Sequence, residues 1–177
     1  MDWCPGTLHS VYRLHGKDRF GLNHQTCAQY RYVDTQEELN LLSARVEGVS
    51  RIALDTEADS MHHFFAKVCL IQLTIDEGNY IVDPLAKIDL SGFLQRIAHI
   101  PLVLHGSDYD LRMLRTTFGF RPENAVFDTM LASQLLGYTE FGLIALVKRF
   151  FDVDLANLGK KTDWSRRPLT TAQLQYA

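Results

Sequence analysis

Arg51-Ile-Ala-Leu-Asp-Thr-Glu57 reads as a buried strand that ends on two acids. Side chains two apart on a strand share a face, so Asp55 and Glu57 project together. Adjacent carboxylates repel unless a cation or a proton neutralises them. Hard oxygen donors of this kind suit Mg2+ or Mn2+. A D-x-E tripeptide is common, however, and taken alone it more often marks two solvated acids.

The neighbouring segments extend the pattern. Val68 to Ile75 reads as a second strand, with Val68, Leu70, Gln72 and Thr74 alternating with Cys69, Ile71, Leu73 and Ile75. Asp76-Glu-Gly-Asn79 is turn chemistry, and Tyr80-Ile-Val82 returns as a third strand. Upstream, Asp34-Thr35 followed by Glu37-Glu38 marks a helix start, with Leu39, Leu42 and Val46 on one face. Downstream, Ser91 caps a short helix and Pro101 to His105 is a strand. Residues 107–118 have helical spacing, with Leu111, Leu114 and Phe118 on one side. Ala125 to Phe127 is a short strand, and helices are expected over 128–136, 141–150 and from 170 onward. Three antiparallel strands followed by alternating helix and strand describe an α/β mixed sheet with helices on both faces. Residues 1–30 lack periodicity and read as an N-terminal extension to one domain over 31–177.

The 177 residues are 46% hydrophobic and 22% charged, which fits a single domain with a real core. Apolar runs such as Pro101-Leu-Val-Leu104 are too short to span a bilayer, and Met1-Asp-Trp-Cys-Pro-Gly6 lacks a signal-peptide pattern. No membrane association and a cytoplasmic location are therefore expected. Cys4, Cys27 and Cys69 form no C-x-x-C pair, which fits a reducing compartment. Cys4, His9, His24 and Cys27 match no familiar zinc spacing. A net charge of −3 counts against sequence-independent coating of DNA or RNA. It is compatible with an enzyme whose acids hold cations and which grips only a strand end.

Two further segments carry candidate chemistry. In His105-Gly-Ser-Asp-Tyr-Asp110-Leu-Arg-Met-Leu114 a strand gives way to a helix, and Asp110 lies in its first turn or so. The spacing to Leu111 and Leu114 favours Asp110 over Asp108 as the inward acid, and the helix dipole favours a carboxylate there. The other segment holds Lys160, Lys161, Arg166 and Arg167 around Trp164, then Thr170 at a helix start and Tyr176 on that helix. Basic charge interleaved with an aromatic suits a strand-binding edge, while a solvated loop with Trp164 in the core fits equally well.

Taken in order, I-A-L-D-T-E, V-C-L-I-Q-L, I-V-D-P-L, L-H-G-S-D-Y-D-L-R-M-L, F-D-T and T-D-W-S-R-R-P-L-T…Q-Y-A resemble the ribonuclease D family of DEDD 3′→5′ exonucleases. The resemblance runs from about Tyr32 to the last residue and implies a ribonuclease H-like fold. It implies that Asp55, Glu57 and Asp110 bind two divalent cations, Mg2+ or Mn2+. It implies that Tyr176 orients the attacking water, the mark of the family's "y" branch. The family's fourth acid falls four residues after that tyrosine, one helical turn on and past Ala177. A domain truncated within its last motif, and catalytically impaired, is thus an expectation.

The implied activity is hydrolysis of single-stranded RNA 3′ ends to 5′ mononucleotides, in RNA processing or maturation, with tRNA-like precursors as partners. A terminal base needs an apolar or stacking surface. His62, with His63, Phe64 and Phe65 behind it, is one candidate lining, and His105, Trp164 and Arg167 are the other substrate-binding candidates. A 3′→5′ DNA exonuclease shares this chemistry, and a non-catalytic nucleic-acid-binding module is the alternative from a different class. Nothing in the sequence reads the 2′-hydroxyl, so the choice of RNA comes from the resemblance.

Overall fold

In the computed structural model, which describes residues 30–60, 66–76, 78–155 and 162–177, the acids sit at the middle of a mixed sheet. Its strands are β1 (Tyr30–Val33), β2 (Ile52–Ala58), β3 (Val68–Ile75), β4 (Gly78–Val82), β5 (Leu102–Leu104) and β6 (Val126–Asp128). They lie in the order β1-β4-β3-β2-β5-β6. Strands β2, β3 and β4 are antiparallel neighbours, whereas β1 on β4, β5 on β2 and β6 on β5 are parallel. The helices are α1 (Gln36–Arg45), α2 (Ser91–Ala98), α3 (Asp108–Phe118), α4 (Thr129–Leu135), α5 (Leu143–Phe151) and α6 (Thr171–Tyr176). The antiparallel start and alternating remainder are as the sequence predicts.

Local chemistry sets the helix starts. Thr35 caps α1 by accepting from the Glu38 amide, and Thr170 with Gln173 forms a reciprocal capping box on α6. Asp128 caps α4 through the Met130 and Leu131 amides. Ser91 is not a cap: it is the first residue of α2, and Asp89 accepts from its amide instead. Strand β1 has no counterpart in the sequence reading. Tyr30 is paired with Asn79 in the sheet, so the strand begins inside the expected extension. Residues 1–29 lie outside the described residues.

The period of two divides the sheet into two faces. Ile52 and Leu54 of β2, Ile71, Leu73 and Ile75 of β3, Val82 of β4 and Leu102 and Leu104 of β5 meet Leu39, Leu42, Phe93, Ile97 and Leu114 in the main core. On the other face, Leu70 and Ile81 pack with Cys69 and Trp164, and Leu169 and Tyr176 of the C-terminal segment lie against them. A register shift between Glu57 and Ala58 separates these two packing patterns, because Glu57 pairs with Leu70 while Ala58 pairs with Val68. Bulges of this kind re-aim side chains and recur beside active sites.

One ion pair fixes the C-terminal segment to the sheet. The Arg167 guanidinium donates from Nε to Asp83 Oδ2 (2.5 Å) and from Nη2 to Asp83 Oδ1 (2.7 Å). Its remaining donors go to the carbonyls of Cys69, Trp164 and Arg166. Asp83 also accepts from the Tyr32 hydroxyl and the Leu85 amide. Burial alone would raise the Asp83 pKa, but these donors outweigh it and hold the carboxyl below its usual range.

Candidate active site

Strand β2 delivers Asp55 and Glu57 to the face opposite the main core, because Ile52, Leu54 and Thr56 take the core side. Gln72 of β3 stands directly across from Asp55 and reaches Glu57 Oε1 through Nε2 at 3.5 Å. Asp110 comes from the first turn of α3 and is buried, with Oδ1 accepting from the Thr56 amide (3.1 Å) and hydroxyl (2.6 Å).

The two strand acids both feel the charge of Asp110. Glu57 is raised to about 8 by desolvation first, then by the charges of Asp55 and Asp110. Asp55 remains open to solvent on one side, yet enough protein surrounds its carboxylate to raise it to about 6, with Asp110 adding to the shift. Desolvation also raises Asp110, and the Thr56 bonds oppose that rise. Acids held in this state are short of positive charge. Hard oxygen donors that lack a counter-charge fit a divalent cation. Among the described residues no three His, Cys, Asp or Glu side chains already converge as a ligand set, so binding would require side-chain adjustment.

These shifts set a stability profile. A raised acid holds its proton more tightly folded than unfolded, so its contribution is greatest below the unfolded value, near 4, and falls as pH climbs through the folded value. His105 runs the other way, since desolvation lowers it, but by about pH 7.5 it is almost wholly neutral in both states. The melting temperature of the metal-free chain is therefore expected to fall between about pH 7 and 8.5 as Glu57 ionises. Mn2+ added at pH 8 should recover much of that loss. A melting profile that is flat over this window with and without Mn2+ would refute the assignment.

The turn leading into α3 is pinned from α4. Asp128 accepts from the amides of Gly106 (3.0 Å) and Ser107 (2.7 Å) and from the Ser107 hydroxyl (2.9 Å). Burial would raise its pKa, but these bonds hold it far below the usual range. Next to it, the Thr129 hydroxyl donates to the Leu104 carbonyl and lies 2.9 Å from His105 Nδ1. With its own proton so directed, Thr129 can only accept from the ring, which places the His105 proton on Nδ1 and leaves Nε2 as an acceptor.

A family model described as 3′-5′ exonuclease matches residues 30–177. The chain belongs to the 3′-5′ exonuclease family. Its residues are 35% identical over 148 positions to the exosome complex component 10 homolog of Caenorhabditis elegans, covering 82% of this chain and 17% of that protein. The crystal structure of Escherichia coli RNase D, an exoribonuclease involved in structured RNA processing, superposes with a TM-score of 0.76 at 31% identity over 83% of this chain and 40% of that one. Brucella melitensis NrnC with bound Mg2+ gives a TM-score of 0.60 at 26% identity over 73% of this chain and 65% of that one. The chain thus spans well under half the length of the first two proteins. Its ribonuclease H-like architecture is that of a DEDD exonuclease domain related to ribonuclease D and exosome component 10.

In this exonuclease domain the other candidate residues fall into distinct places. Tyr176 packs on the acids' face of the sheet, in the cluster of Leu70, the residue paired with Glu57. Trp164 is 2% exposed and tilted against Tyr176 at 5.8 Å, so it supports the tyrosine from the core and presents no ring for a base to stack on. Arg167 has all five donors engaged within the chain, so its role is to anchor the fold and not to hold substrate phosphate. His105 is half-buried with its ring oriented by Thr129. His62, His63, Phe64 and Phe65, like Lys160 and Lys161, lie outside the described residues. The sequence reading missed Thr56, Gln72 and Asp128 as site residues. Gln72 carried a signal as an amide on the acids' face of a largely apolar strand, and Asp128 as a helix-start acid within F-D-T.

The acids do not line the large groove of about 1200 Å³ that runs along β1 between α1 and Arg167–Leu169. Among the described residues no helix is long and apolar enough to cross a membrane.

Proposed function

We propose that the chain is a two-metal-ion 3′→5′ exoribonuclease acting on single-stranded RNA 3′ ends and releasing 5′ mononucleotides. The observation that carries this reading is the trio of acids, Asp55 and Glu57 at the end of β2 and Asp110 in the first turn of α3 bonded to Thr56 between them, in a 3′-5′ exonuclease domain. Asp55, Glu57 and Asp110 would hold two divalent cations, Mg2+ or Mn2+, which when bound activate water for in-line attack and stabilise the leaving 3′ oxygen. Asp55, central on β2, would help hold both ions, Glu57 the one that supplies activated water and Asp110 the one that stabilises the leaving oxygen. The Tyr176 hydroxyl orients the water, and Trp164 behind it limits the ring's freedom. The kinship with ribonuclease D supports RNA over DNA. The test is digestion of matched RNA and DNA oligonucleotides with free 3′ ends in Mg2+ or Mn2+, which should favour RNA and stop when the 3′ end is blocked.

A second reading, an impaired nucleic-acid-binding module, is favoured by the absence of a convergent ligand set among the described residues. Incubation of a single-stranded RNA with a free 3′ end in Mg2+ or Mn2+ separates the two: progressive shortening from the 3′ end supports the first reading, and retention of the RNA at full length supports the second.

A further inference from the structure

We infer that Thr56 is a positioning residue that dictates how Asp110 meets a cation, by occupying one carboxylate oxygen and leaving Oδ2 to bind. The inference rests on the reading of Asp110 as a metal ligand. Thr56 lies between the two β2 acids but faces away from them, and it is 6% exposed against 5% for Asp110. Strand β5 pairs with β2 only at Ile52 and Ala53, so further along β2 the ladder on that side is open. Asp110 fills the opening. Its Oδ1 accepts the Thr56 amide that a longer β5 would have taken, and then the Thr56 hydroxyl at 2.6 Å.

A carboxylate oxygen has about two lone-pair sites, and these two donors fill those of Oδ1. Neither bond involves Oδ2. The two bonds thus fix the carboxylate in rotation and turn Oδ2, which Thr56 leaves alone, toward one-oxygen binding over bidentate. The same two bonds join the helix acid to the strand acids, so one residue sets the spacing of the whole trio. Valine could pack at position 56 as well as threonine does, but it would leave Oδ1 with the amide alone.

The experiment is an Mn2+ titration of residues 1–177 at pH 7.5, following free aqueous Mn2+ by electron paramagnetic resonance. Groups that orient a metal ligand typically account for 10- to 100-fold in affinity. Thr56→Val is expected to weaken Mn2+ binding about tenfold, and Thr56→Ser, which keeps the hydroxyl, to bind like the parent. Thr56→Ala gives the same reading should the valine chain not fold. A parent-like affinity in Thr56→Val, accompanied only by a lower melting temperature, would show a purely structural threonine and overturn the inference. Asp110→Asn is the control. If it binds Mn2+ as the parent does, the ligand assignment itself fails, independently of Thr56.

Discussion

Asp55→Ala is expected to reduce RNA digestion about a thousand-fold, because a cation's stabilisation of the reacting phosphate is worth several kcal/mol and each 1.36 kcal/mol is a factor of ten. The argument starts from the strand. Asp55 is coupled to both of the other acids: its charge raises Glu57, and the charge of Asp110 raises Asp55. Removing it withdraws a ligand from both ions under the proposed assignment. It also relieves repulsion in the metal-free protein, so the same substitution should raise the melting temperature near pH 8. Loss of activity with gain of stability is a signature that general misfolding cannot produce, and it is the familiar trade-off of an active site. Undiminished digestion by the alanine variant would sink the site assignment.

Asp83→Ala is expected to be the most destabilising single substitution proposed here. It removes the acceptor for two Arg167 donors, the Tyr32 hydroxyl and the Leu85 amide, and leaves a half-buried guanidinium without its counter-charge. Breaking a buried pair in this way costs about 3–5 kcal/mol, and the lower end applies because Arg167 retains some solvent access. At about 2–4 °C per kcal/mol for a domain of this size, the melting temperature should drop by roughly 10 °C. Arg167→Lys should also destabilise, since an ammonium cannot reproduce the fork that reaches both Asp83 oxygens and three carbonyls. A shift in Asp83→Ala of only a degree or two would mean that the C-terminal segment is held chiefly by Trp164 and Leu169.

The legible parts of the molecule were those written in local periodicity. Alternation in β2 and β3 placed Asp55 and Glu57 on one face, and apolar spacing in α3 singled out Asp110 over Asp108. Caps at Thr35, Asp128 and Thr170 were visible because their chemistry lies within three residues. Long-range partnership was not legible. Arg167 looks like a phosphate ligand until its acceptor is known, and that acceptor is 84 positions away. Trp164 fitted either an interface or the core, and only the packing of Leu70, Ile81 and Cys69 decided for the core. Thr56 carries no pattern, and Asp128 shows only as a helix-start acid, because a hydroxyl or carboxylate that orients another group is defined by what it meets across the fold. Strand β1 escaped because four residues, Tyr-Arg-Tyr-Val, are too few to show a period.

That short strand has a consequence for the protein's behaviour at high concentration. A sheet margin offers unpaired backbone groups to any passing chain, and long flat margins seed aggregation. Among the described residues both margins are brief: β1 spans four residues and carries an exposed arginine, and β6 spans three. Neither is long enough to template an extended ladder with a neighbouring molecule, so the sheet that carries the acids is poorly suited to growing from its sides.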